Sequence, residues 1–137
     1  MTDTTETAPQ EPQTPYALLG GESTLRELVA RFYEIMNTLP EARGIRKMHA
    51  ADLSGAADKL FKFLSGWLGG PDLFIREYGH PRLRARHLPF DIGAAERDQW
   101  MLCMDKALDE TPMDAKLREL IRQALAQTAT HMINCPP

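Results

Sequence analysis

Twelve residues, Gly79 to Phe90, hold three arginines, two histidines and two prolines in the run GHPRLRARHLPF. Imidazole titrates near neutrality and ligates metals, while guanidinium keeps its charge and grips anions through a planar fork. Such a set offers a metal ligand beside a grip on an anion. Pro81 suits the first turn of a helix, where its missing N–H has no partner, and Pro89 forbids that helix from continuing far. Within it Leu83 and His87 fall on one face, and Arg82 and Arg86 on another. Two readings stand. One is a solvated basic helix whose C-terminal histidine the helix dipole favours. The other is a site for an anion-bearing cofactor, with one imidazole facing inward between guanidinium groups.

The remaining histidines narrow the chemistry. His80, before Pro81, reads as a helix cap or surface residue, and His131 reads as solvent-facing or packed on the last helix. His87 precedes the Leu88-Pro89-Phe90 break, so its ring projects from a helix end held by fixed turns, the rigid presentation a metal ligand needs. A single histidine does not hold zinc, which takes three or four protein ligands. A single histidine can hold a haem iron, whose equatorial ligands come from the porphyrin. Cys103 and Cys135 form no C-x-x-C pattern and read as small thiols, neither a zinc site nor a disulfide framework.

The elements that must position these residues are helical. Met1–Pro15 is polar and proline-rich and is expected to be a disordered tail, with the globular domain running from 16 to 137. Gly20-Gly21 breaks the chain. Thr24 with Glu27 then offers a capping box for a helix whose stripe is Leu25, Leu28, Val29, Phe32 and Met36, with Tyr33 on its edge. Pro40 opens a shorter helix to about Lys47, and His49 lies just beyond. Ser54 is positioned to cap a broadly apolar helix carrying Ala57, Leu60, Phe61, Leu64 and Leu68, which Gly69-Gly70-Pro71 ends. Asp91 or Gly93 starts a long helix with Trp100, Met101, Met104 and Leu108 on one side. Thr111-Pro112 is a start signal for a last helix bearing Leu117, Leu120, Ile121, Ala124, Thr128 and Met132, which stops at Asn134. No segment alternates with period two, so the expected class is all-α, with about four long helices and a few short ones.

Composition excludes several classes. At 137 residues one domain is expected. A net charge of -3 argues against a general nucleic-acid binder. No apolar run approaches the ~20 residues that span a bilayer, and the N-terminal stretch lacks a signal-peptide core, so no membrane association and a cytoplasmic location are expected.

Taken together, several features resemble the group II truncated haemoglobins, short globins in which two helix pairs sandwich a haem. These are Gly20-Gly21, Gly69-Gly70, Phe32-Tyr33, the run Gly79-His80-Pro81-Arg82-Leu83-Arg84, His87 before Pro89-Phe90, and Glu96-Arg97-Asp98 leading to Trp100. The resemblance covers most of the chain and implies a two-over-two helical fold around haem b. It implies that His87 is the iron ligand and that Tyr33, His49 and Trp100 surround the opposite, ligand-binding face, overlooked by Ala56 and Leu60. Phe90 and Met104 would pack on the porphyrin, and Arg86 with Lys59 would pair with its propionates, Arg82 and Arg84 standing as substitutes. Tyrosine and indole donors aimed at a bound diatomic ligand stabilise it by about 1 to 3 kcal/mol each in a dry pocket. Read from the residues alone, Tyr33 and Trp100 are equally plain core aromatics.

The implied function is reversible binding of dioxygen and other diatomic ligands. The alternative is a redox enzyme, a nitric oxide dioxygenase or peroxidase-like activity, that consumes the bound oxygen. No G-x-G-x-x-G dinucleotide fingerprint is present, so that alternative calls on an external reductase.

Overall fold

Helices are the regular structure throughout the computed structural model, which describes residues 13–135 and contains no strand among them. In chain order they are α1 (Pro15–Leu19), α2 (Gly21–Thr38), a 3-10 turn (Pro40–Ala42), α3 (Arg43–Lys47), α4 (Ser54–Trp67), α5 (Leu73–Tyr78), α6 (Leu83–His87), α7 (Ala94–Glu110) and α8 (Ala115–His131). The first twelve residues of the expected tail lie outside the described ones. Its last residue, Pro15, instead opens α1, where Thr14 Oγ1 accepts the Ala17 N–H at 3.1 Å.

The core follows the apolar stripes. From α2, Leu25, Leu28, Phe32 and Met36 are at most 1% exposed, and Met104, Ala107 and Leu108 of α7 meet them. Burying each large side chain contributes roughly 1.5–3 kcal/mol. α2 packs on both α4 and α7, and α7 packs on α8. Phe61 and Leu64 seal α4 against this core; Leu117, Ile121 and Leu125 do so for α8. Leu120, expected on that stripe, is 58% exposed instead. Surface ion pairs add little: Arg31 reaches Glu110 of α7 at 2.8 Å, and Arg122 of α8 reaches Asp105 at 2.9 Å.

Several expected helix starts are corrected. α2 begins at Gly21, so Thr24 and Glu27 lie inside it; Gly20, at φ 122°, turns the chain directly into the helix where a side chain would strike Thr24 Oγ1. Leu53, not Ser54, caps α4, because Asp52 Oδ1 takes the Ser54 N–H at 2.9 Å. Thr111 closes α7, its hydroxyl donating back to the Ala107 carbonyl at 2.8 Å. Asp114, whose carboxylate accepts the Lys116 and Leu117 N–H groups, starts α8. α6 begins after Arg82 rather than at Pro81, and α8 ends at His131 rather than at Asn134. Of the two starts left open for α7, Gly93 is the one used, its N–H donating to Glu96 Oε1 at 2.7 Å. Among the described residues no helix is long and apolar enough to cross a membrane.

Candidate functional site

His87 closes α6. Its Nδ1 lies 2.6 Å from the Leu83 carbonyl one turn earlier, so Nδ1 donates, and Nε2 makes no hydrogen bond among the described residues. The ring is half-buried. Beside it Leu88 and Phe90, 58% and 40% exposed, present apolar surface. Among the described residues no three His, Cys, Asp or Glu side chains converge as a metal site. A metal taken by Nε2 therefore draws its other ligands from a group such as a porphyrin, and this donor set fits one.

Across α2 a second cluster forms. Tyr33, 8% exposed, points its hydroxyl at the Ala56 carbonyl of α4 at 3.4 Å, the long limit of a hydrogen bond, and stands edge-on to His49 with ring centres 5.8 Å apart. Burial pushes the Tyr33 hydroxyl well above its ordinary pKa, so it remains a donor. His49 Nδ1 donates to the Ile45 carbonyl at 2.9 Å, which again leaves Nε2 free. Phe32, fully buried, bridges Tyr33 at 4.9 Å and Trp100 at 5.0 Å between ring centres. The Trp100 indole N–H has no hydrogen-bond partner among the described residues. Because no buried side-chain donor there is left unpaired, it opens on accessible space. Ala56 and Leu60 pack against the core beside this group, and Met104 is enclosed within the core.

A third grouping ties α4, α5 and α6 together. Phe74 and Tyr78 lie 4.8 Å apart between ring centres; the Arg86 guanidinium sits 5.1 Å from the Phe74 ring and the Lys59 ammonium 5.6 Å from the Tyr78 ring. The two cations expected to act together thus share one aromatic support. Arg86 also donates to the Pro81 carbonyl. Lys62 is taken up by Asp58 and Glu77, and Arg84 by two backbone carbonyls of the C-terminal segment. His80 keeps a local role, its Nδ1 accepting the Arg82 N–H at 3.2 Å. Among the described residues no hydrogen bond or aromatic contact joins His87 to Tyr33, His49 or Trp100.

The bacterial-like globin family model matches residues 14–134. The group 2 truncated hemoglobin YjbI of Bacillus subtilis (strain 168) is 41% identical over 120 residues, 88% of each chain. The group II 2-on-2 hemoglobin of Agrobacterium tumefaciens is 49% identical and superposes with a TM-score of 0.89 over 93% of this chain and 98% of that one. The cold-adapted truncated hemoglobin of the Antarctic bacterium Pseudoalteromonas haloplanktis TAC125 gives 49% and 0.88, over 90% and 99%. The chain belongs to the group II truncated haemoglobins. As a truncated globin it is a haem-based binder of diatomic gases such as oxygen.

Two supporting residues of this globin escape a reading by motif. Gln99 Oε1 accepts the Ile45 N–H at 3.0 Å and so holds α3, the helix before His49, against α7. Asn134, expected only as a helix stop, bonds the segment that follows His87. Gln99 stands beside Trp100 in α7, but its type alone does not name Ile45 as its partner. Asn134 gave no signal beyond its type.

Proposed function

We propose that this globin holds haem b through His87 Nε2 and binds dioxygen and other diatomic ligands reversibly on the opposite side, among Tyr33, His49 and Trp100. When bound, the haem would supply an iron able to take a diatomic ligand. The observation that carries the reading is the His87 ring, oriented by the Leu83 carbonyl with Nε2 left unused. Tyr33 and Trp100 offer O–H and N–H donors toward such a ligand, and His49 adds an imidazole whose Nε2 donates only when protonated. Ala56 and Leu60 carry no donor, and the small Ala56 leaves room for entry. Phe90 supplies apolar surface for the porphyrin face, with Met104 backing the pocket from within the core. Arg86 and Lys59, braced on Phe74 and Tyr78, pair with its propionates. The test is haem reconstitution: the wild-type protein gains a Soret band, and His87→Gly abolishes or severely weakens axial binding. A protein that folds but takes up no haem ends the idea.

The number of polar groups around Tyr33 favours a second reading. A ligand held by several donors leaves slowly, which suits consumption of oxygen, as in oxidation of nitric oxide to nitrate or peroxidase-like chemistry, with electrons from a separate reductase. Oxygen dissociation kinetics separate the two. Fast release with a stable ferrous protein supports carriage, whereas slow release with rapid reaction with nitric oxide or peroxide supports catalysis.

A further inference from the structure

α6 is five residues long and buries no side chain. A helix that short does not hold its own shape in water. It also follows Arg82, whose φ of 46° is left-handed and costly for a residue with a Cβ. His87 nevertheless has to keep one orientation to serve as an axial ligand. Beyond the bond of its ring to the Leu83 carbonyl, bonds that hold this segment come from the far end of the chain.

Arg84 donates to the carbonyls of His131 at 2.6 Å and Ile133 at 2.8 Å, acceptors that the end of α8 leaves open. Asn134 closes the other side. Its amide nitrogen donates to the carbonyls of His87 at 3.2 Å and Phe90 at 2.8 Å, while its amide oxygen accepts the Ile92 N–H at 3.0 Å. Two carbonyls and one N–H leave no doubt which way the amide is turned. The Asn134 and Cys135 N–H groups add bonds to the Ile92 carbonyl at 2.8 and 3.0 Å. The other arginine of α6, Arg86, donates to the local Pro81 carbonyl and lies against the Phe74 ring of α5.

We propose that Asn134 and Arg84 are positioning residues for His87, and that the segment from His131 to Cys135 is a clasp fixing the orientation in which His87 meets the haem iron. The proposal rests on His87 being the axial ligand. The variants are Asn134→Ala and Arg84→Met in the whole 137-residue chain. Amide hydrogen exchange is expected to quicken about tenfold over residues 83–92, with α2 and α7 unchanged. The iron–histidine stretching band in resonance Raman spectra of the ferrous protein is expected to shift or broaden. Asn134→Asp, which keeps the acceptor for Ile92 but loses both donations, is expected to behave like Asn134→Ala at His87. Where Asn134→Ala does not fold, Arg84→Met carries the same two readouts.

Unchanged exchange over 83–92 overturns the proposal. Quickened exchange with an unaltered iron–histidine band overturns it as well, because the clasp is then only structural. A wild-type protein lacking that band refutes the axial reading and the positioning role with it, while the exchange result still reports on the clasp by itself.

Discussion

Trp100 differs from its neighbours around Tyr33 in that its indole N–H only donates, and no acceptor among the described residues takes it. If that N–H holds the ligand, Trp100→Phe speeds oxygen release about tenfold or more, equal to ~1.4 kcal/mol. An unchanged dissociation rate removes Trp100 from the account. A second residue-scale expectation concerns alkaline pH. Burial pushes the Cys103 thiol from 9.0 up to about 11, and the Tyr33 hydroxyl is raised for the same reason. Both groups are neutral when protonated, so above pH 9 the unfolded chain loses protons that the folded chain retains, and stability falls as pH rises. Cys103→Ala should flatten the part of that fall lying between pH 9 and about 11, measured as the unfolding temperature against pH; a slope identical to wild type contradicts it. His87, Tyr33, His49 and Trp100 could be singled out in the sequence as candidates because each has a type and a place within a run. Gln99 and Asn134 were not, because the groups they bond lie 54 and 42 to 47 positions away, and a polar residue does not name its partner.

At the scale of elements, the apolar stripes foretold helix faces better than helix ends. Leu25, Leu28, Phe32 and Met36 had to lie on one side of any helix containing them, and they do. Starts were less secure because polar residues near a break compete for the same job: Thr111 and Asp114 both suit an N-cap, and the hydroxyl of Thr111 went to the preceding helix instead. The Gly69-Gly70 pair has its meaning in packing, since a Cβ on Gly70 would stand 2.5 Å from the Tyr16 ring of α1. Gln99 shows what element placement does for the site. Gln99→Ala removes the acceptor for Ile45 N–H and should lower stability by about 1 kcal/mol in chemical denaturation. It should also loosen the segment 43–49, seen as faster amide exchange there. Exchange unaffected in that segment would mean α3 is held by Ile45 and its apolar packing alone.

For the whole molecule, Tyr33, Ala56, Lys59 and Trp100 stand on long helices, while the short α3 precedes His49 and the short α5 and α6 carry Phe74, Tyr78, Arg86 and His87. The positions of these short elements depend on bonds to the long helices and to the C-terminal segment rather than on their own length. That division explains why fold class and family were readable from periodicity and motif order, while the supports of the site emerged only in three dimensions. The central claim is reversible diatomic binding at an iron held by His87. Optical spectra of the haem-loaded protein in the ferric, ferrous and oxygen-exposed states test it most directly. The expected result is a distinct ferrous spectrum that changes on exposure to oxygen and returns when oxygen is removed. A folded protein with no Soret band, or a ferrous spectrum indifferent to oxygen, would contradict it.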